Sequence, residues 1–250
     1  MDYAIGFGIA VLIALSGVGA GVVTAPVLIL FIHLPIDIAV STALAYSALV
    51  KLIVVPVQIV RKQVNYRVLS MMLLGGLPGV IIGSILFRRV SQHGPKSSLN
   101  LALGAIIVFT AAWHLYRHFC PAGPSRPVKD RLGLVSALML PIGAEVGFSS
   151  SGAGALGTVM LLSLTSLSTP QVVGTDLAFG LGIALVGSGV HLISGKYAGA
   201  LLLKLVIGGI AGGIVGSYIA PKIPNRWLRF GLSLWLVFIG FKLCWDAFGK

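Results

Sequence analysis

The sequence predicts an all-α membrane protein made of two homologous repeats, each with four apolar stretches, the first of them broken or re-entrant. Three observations predict it. The 250 residues are 57% hydrophobic and only 10% charged, against roughly 25% charged in a soluble domain. Eight long apolar stretches lie at about 3–32, 36–60, 68–87, 98–119, 132–164, 169–194, 198–220 and 228–249. Apolar stretches of roughly 20 residues without a lasting polar break read as membrane spans. Finally, a single offset of 133 residues relates the two sets of four, with 19 identities in the 69 pairs from Ser16/Ser149 to Ser84/Ser217.

The offset sets the domain organisation. Residues 1–121 form repeat 1, 122–131 a basic, Pro-rich connector, and 132–250 repeat 2. Such internal duplication is the plan of many secondary transporters. The N-terminus lacks the basic region of a signal peptide, and its first apolar stretch is too long for one, so it is kept as structure. The connector and the other short loops hold most of the Lys and Arg that make the net charge +12. Basic loops between spans read as topology signals and contacts to anionic lipid headgroups, not as a nucleic-acid surface. Cys120 and Cys244 form no paired motif and read as small apolar fillers.

In the third stretch of each repeat, Gly75, Gly79, Gly83 and Gly208, Gly212, Gly216 recur every four residues. That spacing makes a small-residue helix face on which a neighbouring backbone can approach closely. The opening stretches differ. "SGVGAGVVTAP" at Ser16 and "SSSGAGALGT" at Ser149 occupy matching places in the two repeats. Glycine weakens a helix by about 1 kcal/mol per residue, so each reads as a break between two half-helices. Backbone that leaves a helix at membrane depth must line a cavity or be buried in protein, and paired breaks mark a transporter's binding site. Exposed N–H groups, hydroxyls and a half-helix N-terminus suit a small oxyanion. This makes Gly19, Gly21, Ser150, Ser151, Gly152 and Gly154 candidate binding residues, with Ser150 and Ser151 as N-caps. Tight helix packing through small residues is the competing reading.

Ionisable groups at membrane depth are suspected of function. Lys51, Glu145, Asp176, His191 and Lys204 qualify, with Gln58 as an uncharged addition. Under the offset, Ala43 matches Asp176, Lys51 matches Ala184 and Gln58 matches His191. These positions fall on one stripe of the second helix of each repeat, with Thr42 and Thr175 beside its start. The expectation is that the two stripes face each other across the repeat interface. Lys51 would be the anion's counter-charge; Asp176 would pair with it or carry a proton, and Glu145 is a second proton-coupling candidate. Snorkelling to an interface is the blander reading of Lys51, headgroup level that of His191, and an interfacial anchor that of Lys204. No nucleophile motif, metal-ligand cluster or P-loop is present, so no catalytic residue, metal or cofactor is expected.

The stretches "GVGAGVVTAPVLILF", "AVSTALAYSALVK" and "GGLPGVIIGS", followed by "VGFSSSGAGALGT", "VVGTDLAFG" and "GGIAGGIVGS", resemble the TauE/SafE sulfite-exporter family over nearly the whole chain. The resemblance implies a multi-pass carrier of the bacterial-type inner (plasma) membrane, without organic cofactor, in some members exporting sulfite or small organosulfonates. The first half has "VSTAL" where the second has "VGTDL", which argues against a strictly symmetric site. The resulting expectation is a secondary transporter for a small sulfur oxyanion or organosulfonate. The alternatives are a carrier for another small anion, such as a carboxylate, or a non-transporting membrane subunit. Substrate identity, coupling proton or ion, and oligomeric state stay open. So does the choice between parallel and inverted repeats, although the loop "RKQVNYR" with three positives against "SGKYAGA" with one leans toward inversion.

Overall fold

The computed structural model describes residues 2–16, 20–93, 101–109, 131–150, 153–193 and 197–219, with scattered helical positions at 112, 116, 234, 237–238, 241–242 and 245. Among the described residues the chain is entirely helical. The long elements are α1 (Asp2–Ser16), α2 (Ala20–Leu30), α3 (Ile36–Val60), α4 (Tyr66–His93), α5 (Leu132–Ser149), α6 (Ala153–Leu164), α7 (Thr169–Leu192) and α8 (Gly199–Ile219). Residues 101–109 add a short helical segment.

Local chemistry accounts for the boundaries. The 3.2 Å bond from the Ser168 N–H to Gln171 Oε1 is the return arm of a capping box at the start of α7. Pro170, in the first turn, gives up a donor that a helix start leaves unpaired anyway. Pro35 sets the start of α3, with Asp37 in its first turn, where a carboxylate favours the positive helix end. α5 ends at Ser150, whose φ of 63° is left-handed and whose N–H returns to Val146 O at 2.8 Å.

The helix starts reproduce the sequence offset. Ile36 and Thr169, and Tyr66 and Gly199, each begin a helix and stand 133 positions apart. α5 stops at Ser149 with Ser150 left-handed; residues 17–19 and 151–152, where the sequence reading places the breaks, lie outside the described residues. Gly19, Ser151 and Gly152 lie outside the described residues. Half of the fourth stretch of the first repeat and most of that of the second also lie outside them, as does the connector up to Asp130.

Packing follows the glycine faces. A Cβ on Gly75, Gly79 or Gly83 of α4 would fall on the carbonyl oxygen of Ser136, Leu140 or Ala144 of α5. A Cβ on Gly208 or Gly212 of α8 would likewise fall on that of Tyr3 or Phe7 of α1. Both helix pairs therefore run parallel, backbone against backbone. Tyr3 and Ser136, like Phe7 and Leu140, are also 133 apart, so α4 and α8 each rest on the first helix of the other half. At the centre α3 and α7 lie antiparallel: Ser41 meets His191, Lys51 meets Gly180, and Gln63 meets Gly174. Leu44, Phe179, Ile183, Met72 and Met139 fill the interior between α3, α4, α5 and α7, and Tyr46 faces α1 and α8, its hydroxyl donating to Gly6 O at 3.2 Å.

Among the described residues, five helices are long and apolar enough to cross a membrane: Ile36–Val60, Tyr66–Gln92, Leu132–Ser149, Thr169–Leu192 and Gly199–Gly216. Their outward faces carry large apolar side chains such as Leu52, Leu74, Ile82, Leu203 and Ile214. A continuous apolar exterior of this kind is what a bilayer covers.

Candidate functional site

Lys51 lies on α3, the helix at the centre of the fold. Only 8% of its surface is exposed, which excludes a side chain reaching out to an interface. Its Nζ sits 2.6 Å from where a Cβ on Gly180 would be, so the missing side chain at the midpoint of α7 makes room for the ammonium. Asp176, 6% exposed, lies one helical turn before Gly180. The two charges interact electrostatically without closing to a direct ion pair. Lys51 and Asp176, which the sequence reading places on facing stripes, are carried by α3 and α7 respectively.

Two residues of α6 complete the cluster. Thr158 Oγ1 donates to Asp176 Oδ2 at 2.9 Å. Asp176 Oδ1 is buried without a hydrogen-bond partner among the described residues and lies where a Cβ on Gly157 would be. Gly157 thus lets α6 approach the carboxylate. Sequence reasoning singled out neither Gly157, Thr158 nor Gly180. Gly157 and Thr158 do close the "SSSGAGALGT" stretch, and that was the one available signal.

Other expected residues fall elsewhere. Thr42 Oγ1 accepts the Ala198 N–H at 3.2 Å, and Thr175 Oγ1 accepts the Asn65 N–H at 2.9 Å. The two threonines are 133 apart, as are Asn65 and Ala198. Each hydroxyl therefore ties down the chain just ahead of the other half's third helix. Gln58 is seven residues beyond Lys51 on α3, and its Oε1 is buried without a partner among the described residues. Ser149 Oγ lies 3.0 Å from both the carbonyl oxygen and Oε1 of Glu145, which share its one proton. Lys204 pairs with Asp2 at 3.1 Å, both half-exposed.

Ser150 differs from the expectation. It terminates α5 and does not cap α6, because its left-handed backbone closes the last turn of the preceding helix. Its Oγ is buried without a partner among the described residues. Gly21 and Gly154 fall in the first turns of α2 and α6.

His191 does not join the charge pair. Its Nδ1 is 3.0 Å from Ser41 Oγ and its Nε2 is 3.1 Å from Gly147 O. The Phe87 ring lies 5.2 Å away, centroid to centroid. Ser41 precedes Lys51 by ten residues on α3, about 15 Å along the axis. Among the described residues, no group of three His, Cys, Asp or Glu side chains is placed to hold a metal ion.

Apolar helices packed around a buried Lys–Asp pair that is not closed to a salt bridge define a multi-pass integral membrane protein with a polar cluster inside it. The family model for the sulfite exporter TauE/SafE matches residues 3–243, and the chain belongs to that family of membrane transporters of the bacterial plasma membrane. It is 28% identical over 247 residues to the probable membrane transporter protein YjnA of Bacillus subtilis, covering 95% of this chain and 96% of the relative. It is 25% identical over 219 residues to the probable membrane transporter protein YdhB of the same organism, covering 86% and 87%. No solved structure matches the chain.

Proposed function

We propose that this protein is a secondary transporter that exports a small sulfur oxyanion or organosulfonate, with its site between the two halves at Lys51, Asp176, Thr158 and the start of α6. The observation that carries the reading is the Lys51–Asp176 pair, buried at mid-helix and not closed. Charges at that depth are costly and persist where they serve transport. An open pair offers an ammonium to an incoming anion without first breaking a salt bridge. The first turn of α6 adds the partial positive charge of a helix N-terminus.

Asp176 supplies the coupling logic. With the site empty, its carboxylate balances Lys51. When an anion takes Lys51, a proton on Asp176 Oδ1 keeps the buried site near neutrality, which a low-dielectric interior favours. Thr158 holds Oδ2 and leaves Oδ1 to receive that proton. Glu145, near the end of α5, is the second group suited to such a role.

The architecture we infer is two repeats of inverted topology with re-entrant first stretches. Its support is the shared 133-residue spacing of helix starts, the exchanged glycine contacts of α4 with α5 and α8 with α1, and the antiparallel run of α3 against α7. In addition, the Asp2–Lys204 pair puts the starts of α1 and α8 at one level. The Thr42–Ala198 bond puts the start of α3 near that level too, and α2 reaches α3 through only a short turn. The α1–α2 pair thus begins and ends at one end of the molecule.

The test is flux in proteoliposomes holding only this chain, together with thermal stabilisation by sulfite, sulfate, methanesulfonate and acetate. Stabilisation and flux with the sulfur oxyanions support the reading. Response to acetate alone makes it a carboxylate carrier, and absence of flux with every anion makes it a non-transporting subunit.

A further inference from the structure

We propose that Phe87, packed edge-to-face on Phe148 beneath a cavity at one end of the helices, is a gate that shuts this end of the molecule against an anion moving to or from the end of α5. The proposal deepens the transport reading above and rests on it for what passes; the barrier itself does not.

The wall is built where α5 ends on α4. A Cβ on Gly147 would fall on Val80 O and come within 2.9 Å of Ser84 Oγ, so the last turn of α5 lies directly on α4. The Gly147 carbonyl is held as well, with Ser84 Oγ at 3.4 Å and His191 Nε2 at 3.1 Å. This pins the next residue, Phe148, against Phe87. The two rings are 5.5 Å apart, centroid to centroid, with their planes at 89°, the edge-to-face arrangement that aromatic pairs prefer. Phe87 also meets the His191 ring at 5.2 Å. Phe87, Phe148 and His191 are all buried, so the three rings form one layer.

On one side of the layer is a partly open cavity of about 20 Å³, lined by Asp37, Ser41, Phe87, Arg88, Gln92 and His191 among others. It is large enough to hold a water. Arg88 and Gln92 are exposed and Asp37 stands in the first turn of α3, which puts the cavity at the end of the helices. On the other side is Ser150, two residues past Phe148. It is 4% exposed, and its Oγ has no hydrogen-bond partner among the described residues. A buried hydroxyl left unpaired is costly, and such a group calls for a visiting partner such as water or an anion.

Along α3 and α7 the way inward is closed separately. Leu44 and Val80 meet over Gly187, with side-chain atoms 3.5 and 3.0 Å from where its Cβ would be. The aromatic layer is the barrier along α5. Of the two rings that face the cavity, His191 is fixed by Ser41 and Gly147, whereas Phe87 is held by ring contacts and is the one free to turn toward the open side. The duplication does not demand this pair. Under the offset of 133, Phe87 matches Ala220 and Phe148 matches Leu15. An aromatic pair needed only to seat the third helix of one half on the first helix of the other would recur in both.

The experiment follows modification of a single cysteine by a sulfonate-bearing methanethiosulfonate reagent, on full-length protein in nanodiscs carrying Cys120→Ala and Cys244→Ala. Ser91→Cys, which lines the cavity, should react quickly with Phe87 in place, and Ser150→Cys slowly. Adding Phe87→Ala should speed the reaction of Ser150→Cys by roughly tenfold or more, and adding Phe87→Trp should not. Phe179→Ala is the control. It removes another fully buried ring, one that rests on Gly76 of α4, and should leave Ser150→Cys slow. Fast reaction of Ser150→Cys with Phe87 intact overturns the gate. So does a gain from Phe87→Ala no larger than that from Phe179→Ala, which would leave the rings as core packing. If Ser150→Cys fails to fold, Ser149→Cys, at 1% exposure, reports on the same place. Methanesulfonate flux through the parent in proteoliposomes decides the transport reading separately. Faster labelling in Phe87→Ala with no flux of any anion through the parent keeps the barrier and removes the transporter.

Discussion

Replacing Lys51 by Met and Asp176 by Asn, singly and together, tests whether the two buried charges act as a pair. Asn keeps an acceptor for the 2.9 Å Thr158 bond, and Met keeps the volume of the lysine stem. The magnitude follows from the geometry. Lys51 Nζ lies beside Gly180, one helical turn, about 5.4 Å, from Asp176. Taking that as the charge separation and an effective dielectric of about 20, the attraction is about 3 kcal/mol. Lys51→Met leaves the carboxylate without a counter-charge, and losing one member of a buried pair costs about 3–5 kcal/mol. The double variant removes both charges. It is expected to be more stable than the sum of the singles by about 2–3 kcal/mol, or roughly 30- to 150-fold in an equilibrium constant.

Reversible unfolding in mixed micelles gives the three stabilities, and sulfite-induced thermal stabilisation of the same samples gives binding. The double variant should regain stability but not binding, since the ammonium is gone. Additivity within about 0.5 kcal/mol would mean that the charges do not feel each other. Sulfite stabilisation that survives in Lys51→Met would remove Lys51 from the site.

Other substitutions separate packing from binding. Gly79→Leu puts side-chain atoms onto Leu140 O and within 3.0 Å of Ala144 N, so α4 and α5 must separate. A loss above about 3 kcal/mol, read as a collapse in melting temperature, is expected. Gly213→Ala, with nothing within 4 Å of the new Cβ, should be neutral or stabilise by up to about 1 kcal/mol in the same assay. Thr175→Val removes the acceptor of the Asn65 N–H and should cost about 1–2 kcal/mol in unfolding experiments, with sulfite affinity unchanged. Gly157→Ala pushes a methyl group onto Asp176 Oδ1. It should lower sulfite affinity by roughly ten- to a hundredfold, by isothermal titration, if Asp176 loses Thr158, whose charged hydrogen bond is worth about 1.5–3 kcal/mol.

What was legible in the sequence was what repeats or what burial forbids. Composition and apolar length announced spans, and a period of four announced the α4–α5 and α8–α1 faces, because small residues at that spacing have few other uses in lipid. Lys51 and Asp176 were legible because a charge in an apolar stretch demands a partner. The common face did not imply a common site. His191 shares the stripe, yet lies at the level of Ser41, about 15 Å from Lys51 along the helix axis. Angular periodicity orders residues around a helix and says nothing of depth until the neighbouring helix is placed. Thr42 and Thr175 looked like ligands, but their partners Ala198 and Asn65 come from the opposite half. Gly157 and Gly180 matter for side chains they lack, and such a role shows only once Asp176 Oδ1 and Lys51 Nζ occupy the space.

Ser150 shows why residue types alone mislead at a break. Ser and Gly both end helices and begin them, so "SSSGAG" reads equally as a start and as a stop. Here the stop comes first. α5 finishes at Ser149 with Ser150 left-handed, and α6 begins at Ala153. The carbonyl end of α5 carries partial negative charge and the N–H end of α6 partial positive charge, each fading within a turn. In the proposed site, an anion would be repelled from the Ser150 side and drawn to the α6 side. On that side Gly157 and Thr158, one turn into α6, touch Asp176, and Asp176 is in turn coupled to Lys51. Under the proposed transport reading, the polarity of the helix ends and the placement of the buried charges favour the same place for the anion, at the first turn of α6 facing α7 and α3. Neither feature was chosen to agree with the other, since the helix ends follow from backbone geometry and the charges from side-chain burial.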